Sequence, residues 1–183
     1  MKRIGTQPLV TERCYLRKLE ITDEAQMYEN ILSDPMVSQY MSWECYSDIE
    51  SAKGYLEKWQ EFYNQNELYW GVFLKENVDL LGTVYLCDEN SHAEVGFISY
   101  CFGSKFRGNG YATEAVKAVL KFGFFQEEYS NITTFCARSN IRSQRVLERL
   151  GFKYEAVPRK RDKTKYGYED CLYYSLLKSE FVE

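Results

Sequence analysis

The segment Glu94–Ala115, EVGFISYCFGSKFRGNGYATEA, constrains this chain more than any other. An alternating apolar run passes into a turn-rich loop with Gly103, Gly108 and Gly110, and the loop runs straight into a helix-forming stretch. Glycine at such turns lets main-chain amides approach a bound group closely. The N-terminus of the helix that follows favours an anion. Strand, loop and helix together read as a phosphate or pyrophosphate cradle made largely of main chain. Glycine-rich turns are also common at strand ends, so a purely structural loop is the plain alternative. The loop lacks the GxxxxGK[ST] of a Walker sequence. Gly108 and Gly110 are followed by Tyr111, Ala112 and Thr113, without the third glycine of a dinucleotide fingerprint.

Composition narrows the classes. The chain has 183 residues, 45% hydrophobic and 16% aromatic, which suits one domain over residues 1–183 with a substantial core. Its net charge of -4 argues against direct nucleic-acid binding and suits a basic acceptor such as an amine. Cysteines stand at 14, 45, 87, 101, 136 and 171, with no CxxC pair and a single histidine, His92. No metal site is expected from that set. The cysteines read as buried small hydrophobes in a reducing compartment. Neither a signal segment nor a membrane-spanning stretch is evident, so a cytoplasmic location without membrane contact is expected.

Periodicity predicts a strand over 9–18 and a helix over 23–32, capped by Thr22 and stopped at Ser33-Asp34-Pro35. Ser47-Asp48-Ile49-Glu50 has the form of a capping box opening a second helix. Strands are expected over 68–75, 79–87 and 93–102, then a helix over 110–125, a strand over 131–137 and a helix over 141–150 stopped at Gly151. Segments 152–158 and 169–177 read as a closing hairpin joined by a basic, aromatic loop. Strands first and then β-α-β-α-β predict a mixed three-layer α/β fold.

The chain resembles the GNAT superfamily of acetyl-CoA-dependent N-acyltransferases, and within it the ribosomal-protein N-terminal acetyltransferase-like (RimJ/RimL) branch. The likeness rests on Leu9–Arg17, Asp34-Pro35, Gly82-Thr83-Val84, Glu94–Phe97, Phe106–Ala115, Ala137–Ser143 and Val146–Phe152, spread over almost the whole chain. It implies a three-layer fold whose largely antiparallel central sheet has one splayed strand pair and helices on both faces. It also implies acetyl-CoA as cosubstrate, without a metal. Main-chain groups of Tyr100, Cys101 and Phe102 would pair with the pantetheine as an extra strand would. Pyrophosphate would lie over Arg107, Gly108, Asn109, Gly110, Tyr111, Ala112 and Thr113. Many family members carry Arg or Gln where this chain has Lys105, which keeps the charge without the planar fork. Asn140 and Ser143 would face the pantetheine and sulfur, although Asn140 suits a helix cap equally well. Solvated loop charge is the plain reading of Lys105 and Arg107.

The implied reaction is direct attack of a neutral amine on the thioester, with a thiolate leaving. Many members place a tyrosine seven residues after the motif asparagine, to serve the thiolate. Here that residue is Leu147, so Ser143 is the expected substitute. Some relatives place a glutamate five residues before that asparagine, where this chain has Phe135. Glu94 is then the leading base, with a surface salt bridge as its alternative role. His92 lies in a polar turn and reads as surface.

Acceptor contacts are expected from the early helices and the closing hairpin. There Tyr40, Trp43 and Tyr85, with Glu94, would bind the amine, and Met36, Tyr46, Trp70, Tyr166, Tyr168 and Glu169 surround them. The resemblance implies a protein or peptide N-terminal α-amine. A small-molecule amine (a polyamine, an antibiotic or an amino-acid-like compound) stays open, as does a catalytically silent acyl-CoA binder or sensor. An unrelated nucleotide-binding module sharing only the glycine loop would prefer ATP or a dinucleotide. The aromatic early region would suit pairing with a second copy of the chain.

Overall fold

Along Leu68–Leu74 the side chains divide between two interiors. Leu68, Trp70 and Val72 enter one core, whereas Tyr69 and Phe73 enter another. A strand buried on both faces needs no polar alternation, which is why this stretch reads as a continuous apolar run. The computed structural model describes residues 4–164 and 167–182. Its first elements are β1 (Leu9–Val10), β2 (Cys14–Arg17), α1 (Glu24–Met27), α2 (Pro35–Ser38), α3 (Ile49–Tyr63), β3 (Leu68–Leu74) and β4 (Leu80–Asn90). There follow β5 (Val95–Phe102), α4 (Tyr111–Phe125), β6 (Asn131–Ala137), α5 (Ile141–Arg149) and β7 (Lys153–Ala156). The last strands are β8 (Asp162–Thr164), β9 (Gly167–Glu169) and β10 (Cys171–Leu177).

Eight strands form one sheet in the order β1-β2-β3-β4-β5-β6-β10-β7, and β8 pairs with β9 separately. Every neighbouring pair of the large sheet is antiparallel except β5 and β6. That parallel pair needs a crossover, and α4 supplies it. Ala115, Val116, Val119 and Leu120 of α4 fill the first core. Met27, Ile31 and Leu56 fill the second, on the opposite face. The mixed three-layer architecture with helices on both faces is as expected.

The parallel pairing is short. Val95, Gly96 and Phe97 meet Asn131, Ile132 and Thr133, and there it stops. Beyond it, β5 stays paired with β4 as far as Phe102↔Gly82, and β6 stays paired with β10 as far as Ala137↔Cys171. The two strands therefore splay, and among the described residues no strand lies beside the free edge of β5.

Several local expectations give way to tertiary contacts. The single strand over 9–18 is a tight hairpin, with Leu9↔Leu16 and Val10↔Tyr15 paired. The Thr11 hydroxyl accepts from the Cys14 amide and closes its turn. The helix over 23–32 is a 3-10 turn at Ile21–Asp23, then α1, then a π segment at Tyr28–Leu32. Thr22 does not cap it. Asp23 accepts from the Glu20 amide instead, and also holds Arg17 through both oxygens. Asp48, one residue later than expected, caps α3 by accepting from the Ser51 amide. The loop of the closing hairpin contains β8 and β9. Cys45 is exposed, in contrast to buried Cys14, Cys136 and Cys171. Among the described residues no helix is long and apolar enough to cross a membrane, and no group of three or more His, Cys, Asp or Glu is placed to hold a metal ion.

Candidate active site

The glycine loop is held from two sides. On one side, Asp34 caps α2 by accepting from the Met36 amide at 2.8 Å, while its other oxygen accepts from the Ser104 amide at 2.8 Å. Arg107 donates to the Met36 carbonyl at 2.8 Å. Gly103 leaves no room for a side chain: a Cβ there would lie 2.3 Å from the Asn30 carbonyl oxygen. Burial acts to raise the Asp34 carboxyl, but the Ser104 and Met36 hydrogen bonds and nearby Arg107 outweigh it and hold it below its ordinary value.

On the other side, Glu114 of α4 reaches the β1–β2 turn. It accepts from the Thr11 hydroxyl at 2.6 Å, the Arg13 amide at 2.7 Å and the Arg13 Nε at 2.7 Å. Arg13 then donates to the Asn109 carbonyl at 2.9 Å and lies 4.6 Å from the Tyr111 ring centroid. Burial opposes ionisation of Glu114, yet the Thr11 and Arg13 donors prevail and keep it below its ordinary value. Between these anchors Gly108 and Gly110 take φ of +86° and +82°, the left-handed region that glycine enters without strain.

The loop delivers its chain to the start of α4. The first helical bond found there runs from the Glu114 amide to the Gly110 carbonyl. The amides of Tyr111, Ala112 and Thr113 thus have no acceptor within the helix, and all three residues line a cavity of about 340 Å³. Arg142, Arg145 and Arg149 of α5 line it too, with Arg107 facing them. Burial first, and Arg142 second, lower the Arg107 pKa. Guanidinium groups gathered beside open helix amides make a place suited to phosphate.

The cavity continues along β5 beyond its pairing with β6, where Tyr100, Cys101 and Phe102 line it. Asn140 caps α5, its side-chain oxygen accepting from the Ser143 amide at 3.2 Å, and both residues line the cavity. The Ser143 hydroxyl lies 2.9 Å from the Tyr100 hydroxyl. Burial pushes the Tyr100 phenol and the Cys101 thiol up, so both keep their protons at neutral pH. Tyr40 lines the cavity as well, and its hydroxyl reaches the Ser139 carbonyl at 3.5 Å.

The structure does not bring every predicted residue here. Lys105 lies over the Phe106 ring at 5.0 Å, outside the lining. Asn109 turns its side chain back to the Phe106 and Arg107 carbonyls and contributes only its main chain to the Arg13 clamp. Trp43 packs edge-on against Tyr46, and Tyr85 donates to Glu67 at 2.9 Å beside Trp59. Trp70 is wholly buried in the first core. Tyr166 is outside the described residues.

Glu94 stands outside the cavity lining. It is exposed, has φ +55°, and stands just before β5, where its carbonyl accepts from the Ser130 amide. Tyr100 is six residues further along the strand, roughly 20 Å away at an extended rise. His92 is exposed in the same turn. Sequence reasoning passed over Arg13 and the Tyr100 side chain. Their partners, Glu114 and Ser143, are 101 and 43 residues away, and no local pattern marks such pairs.

This geometry has counterparts. Residues 13–153 match the acetyltransferase (GNAT) domain family. The uncharacterized N-acetyltransferase p20 of Bacillus licheniformis is 30% identical over 180 residues, covering 96% of this chain and 99% of that protein. A GNAT-family acetyltransferase from Bacillus anthracis is 26% identical with a TM-score of 0.84, over 95% of this chain and 100% of that one. RimL, a ribosomal L7/L12 α-N-protein acetyltransferase solved with coenzyme A, shares the fold at a TM-score of 0.83 and 15% identity, over 93% of this chain and 98% of that one. The match begins at Arg13 of the loop clamp and runs through the splayed strands and α5, and on that span the chain belongs to the GNAT family and is an N-acetyltransferase.

Proposed function

We propose that this enzyme moves the acetyl group of acetyl-CoA directly to a protein or peptide N-terminal α-amine. The observation that carries the reading is the splay of β5 from β6, which opens onto the amide-rich start of α4. Acetyl-CoA supplies an activated acyl group and a thiolate leaving group. The β5 edge at Tyr100–Phe102 offers main-chain partners to the amides of a pantetheine arm. The Tyr111–Thr113 amides with Arg107 suit a diphosphate, and Arg142, Arg145 and Arg149 suit a further phosphate. Asn140 fixes the first turn of α5, and Ser143 presents a hydroxyl to the sulfur. Tyr40, on the α2 side of the cavity, is placed to meet the acceptor.

The lining also favours an acceptor class. Among the described residues lining the cavity there is no carboxylate or imidazole. The Tyr100 and Cys101 groups hold their protons and cannot act as bases at neutral pH. On this reading the amine arrives neutral and releases its proton to water after attack. An α-amine, with a pKa of about 7.7–8.0, is neutral in roughly a tenth of molecules at pH 7, whereas an alkyl amine near 10.4 is neutral in about one in two thousand. The fold shared with RimL supports the same choice.

The test is CoA release from acetyl-CoA over N-terminal peptides, polyamines and aminoglycosides, with mass spectrometry of the products. Acetylated peptide α-amines are expected, together with no reaction of N-terminally blocked peptides. Turnover confined to a small amine, or CoA binding without transfer to any acceptor, would sink the peptide reading.

A further inference from the structure

We propose that Tyr100 is a positioning residue for the leaving step, its hydroxyl orienting Ser143 so that the serine hydrogen points at the departing sulfur. This rests on the acyl-transfer reading above. Ile98, Tyr100 and Phe102 share the β5 face that meets the α4 core, which turns the phenol towards α5. There the hydroxyl lies 2.9 Å from Ser143 Oγ and 3.4 Å from the Ser143 carbonyl, two points of the first turn of that helix. Leu147, one turn further on, is wholly buried and brings no hydroxyl.

A serine hydroxyl has one hydrogen and two lone pairs. Tyr100 is kept protonated by burial, so it has a hydrogen to donate to Ser143 Oγ. Cys136, whose thiol burial pushes up to about 11, is likewise protonated, and its side chain also interacts with Ser143. In the proposed arrangement both neighbours donate, the Ser143 oxygen accepts, and its own hydrogen is left for the cavity that it lines. Hydrogen bonds in such a chain polarise one another, so the Tyr100 donor strengthens the Ser143 donor. In the reaction the amine nitrogen forms its bond to the acyl carbon and the C–S bond breaks, its electron pair going to sulfur. Ser143 hydrogen-bonds to that sulfur. No proton passes along the chain; the one released comes from the amine and goes to solvent.

The experiment compares Tyr100→Phe, Ser143→Ala and the double variant with the unmutated enzyme. Melting curves check folding, and the ultraviolet absorbance of the thiolate gives the pKa of CoA bound in the binary complex. Each single variant is expected to raise that pKa and to lower kcat about tenfold, the value of one charge-assisted hydrogen bond, with KM for acetyl-CoA little changed. The double variant should be no worse than Ser143→Ala alone, because both act through one hydrogen. Tyr100→fluorotyrosine, a stronger donor of nearly the same shape, should lower the bound-thiol pKa and carries the test if Tyr100→Phe folds poorly. Binding of CoA with a thiol pKa and kcat indifferent to Tyr100→Phe, or additive losses in the double variant, overturns the positioning role alone. No CoA binding by the unmutated enzyme overturns the acyl-transfer reading with it.

Discussion

Replacing Glu114 by Gln removes the joint between α4, the β1–β2 turn and the phosphate loop. Glu114 takes two donors on one oxygen, from Thr11 and the Arg13 amide, and two on the other, from Arg13 Nε and the second guanidinium nitrogen at 2.7 Å. The amide keeps the first oxygen and sets an NH2 group against the guanidinium. Two charge-assisted bonds are lost, each worth about 1.5–3 kcal/mol when formed. The Glu114 side chain is 17% exposed and that of Arg13 41%, so water recovers part of the loss. A net cost of about 2 kcal/mol follows, or a fall in Tm of about 4–8 °C for a chain of this size. Arg13 would also let go of the Asn109 carbonyl, so KM for acetyl-CoA should rise, by roughly tenfold if about 1.4 kcal/mol of that cost falls on the loop. The sign of the pH effect is set as well. The folded Glu114 pKa is depressed, so its contribution is present above the unfolded value and is lost as pH falls through the folded one. The stability gap between the unmutated chain and Glu114→Gln should be flat near neutrality and close in acid. Denaturant melts across pH, paired with acetyl-CoA titrations, make the measurement. An unchanged melting point and an unchanged KM at pH 7 would refute the clamp.

Other consequences are as direct. Gly103→Ala puts a methyl 2.3 Å from the Asn30 carbonyl oxygen, and denaturant unfolding should show a loss of about 1–3 kcal/mol; a neutral result would mean that the loop and the π segment move apart freely. Asp34→Asn weakens the acceptor for the Ser104 and Met36 amides, so stability should fall at pH 7 and converge with the unmutated chain in acid, since the Asp34 pKa is depressed. Arg142→Ala, Arg145→Ala and Arg149→Ala should weaken CoA binding and flatten its salt dependence, with dephospho-CoA less affected; calorimetry at two ionic strengths reads this, and equal losses for both ligands would place the terminal phosphate elsewhere. With a peptide acceptor, kcat/KM should climb with pH until the α-amine is neutral, near about pH 8, and then level off; a plateau beginning at pH 6 would reveal an enzymic base.

Much of this protein was legible in one dimension. The strand over Asn131–Ala137, the helix from Gly110 to Phe125 and the stop at Gly151 follow from period, capping and glycine conformation, all of which act over a few residues. So does the loop whose glycines free the first amides of α4. Tertiary structure decided the rest. The early helix is divided into 3-10, α and π pieces, and Asp23 at its start is claimed by Arg17 and Glu20. Glu94 stands just before β5 and outside the cavity lining, and each residue of β structure carries the chain about 3.3 Å further towards Tyr100. The Arg13–Glu114 clamp and the Tyr100–Ser143 pair join residues far apart in sequence. Local propensity is a property of neighbours along the chain, and these contacts are properties of the folded sheet, so only the closed fold could bring them together.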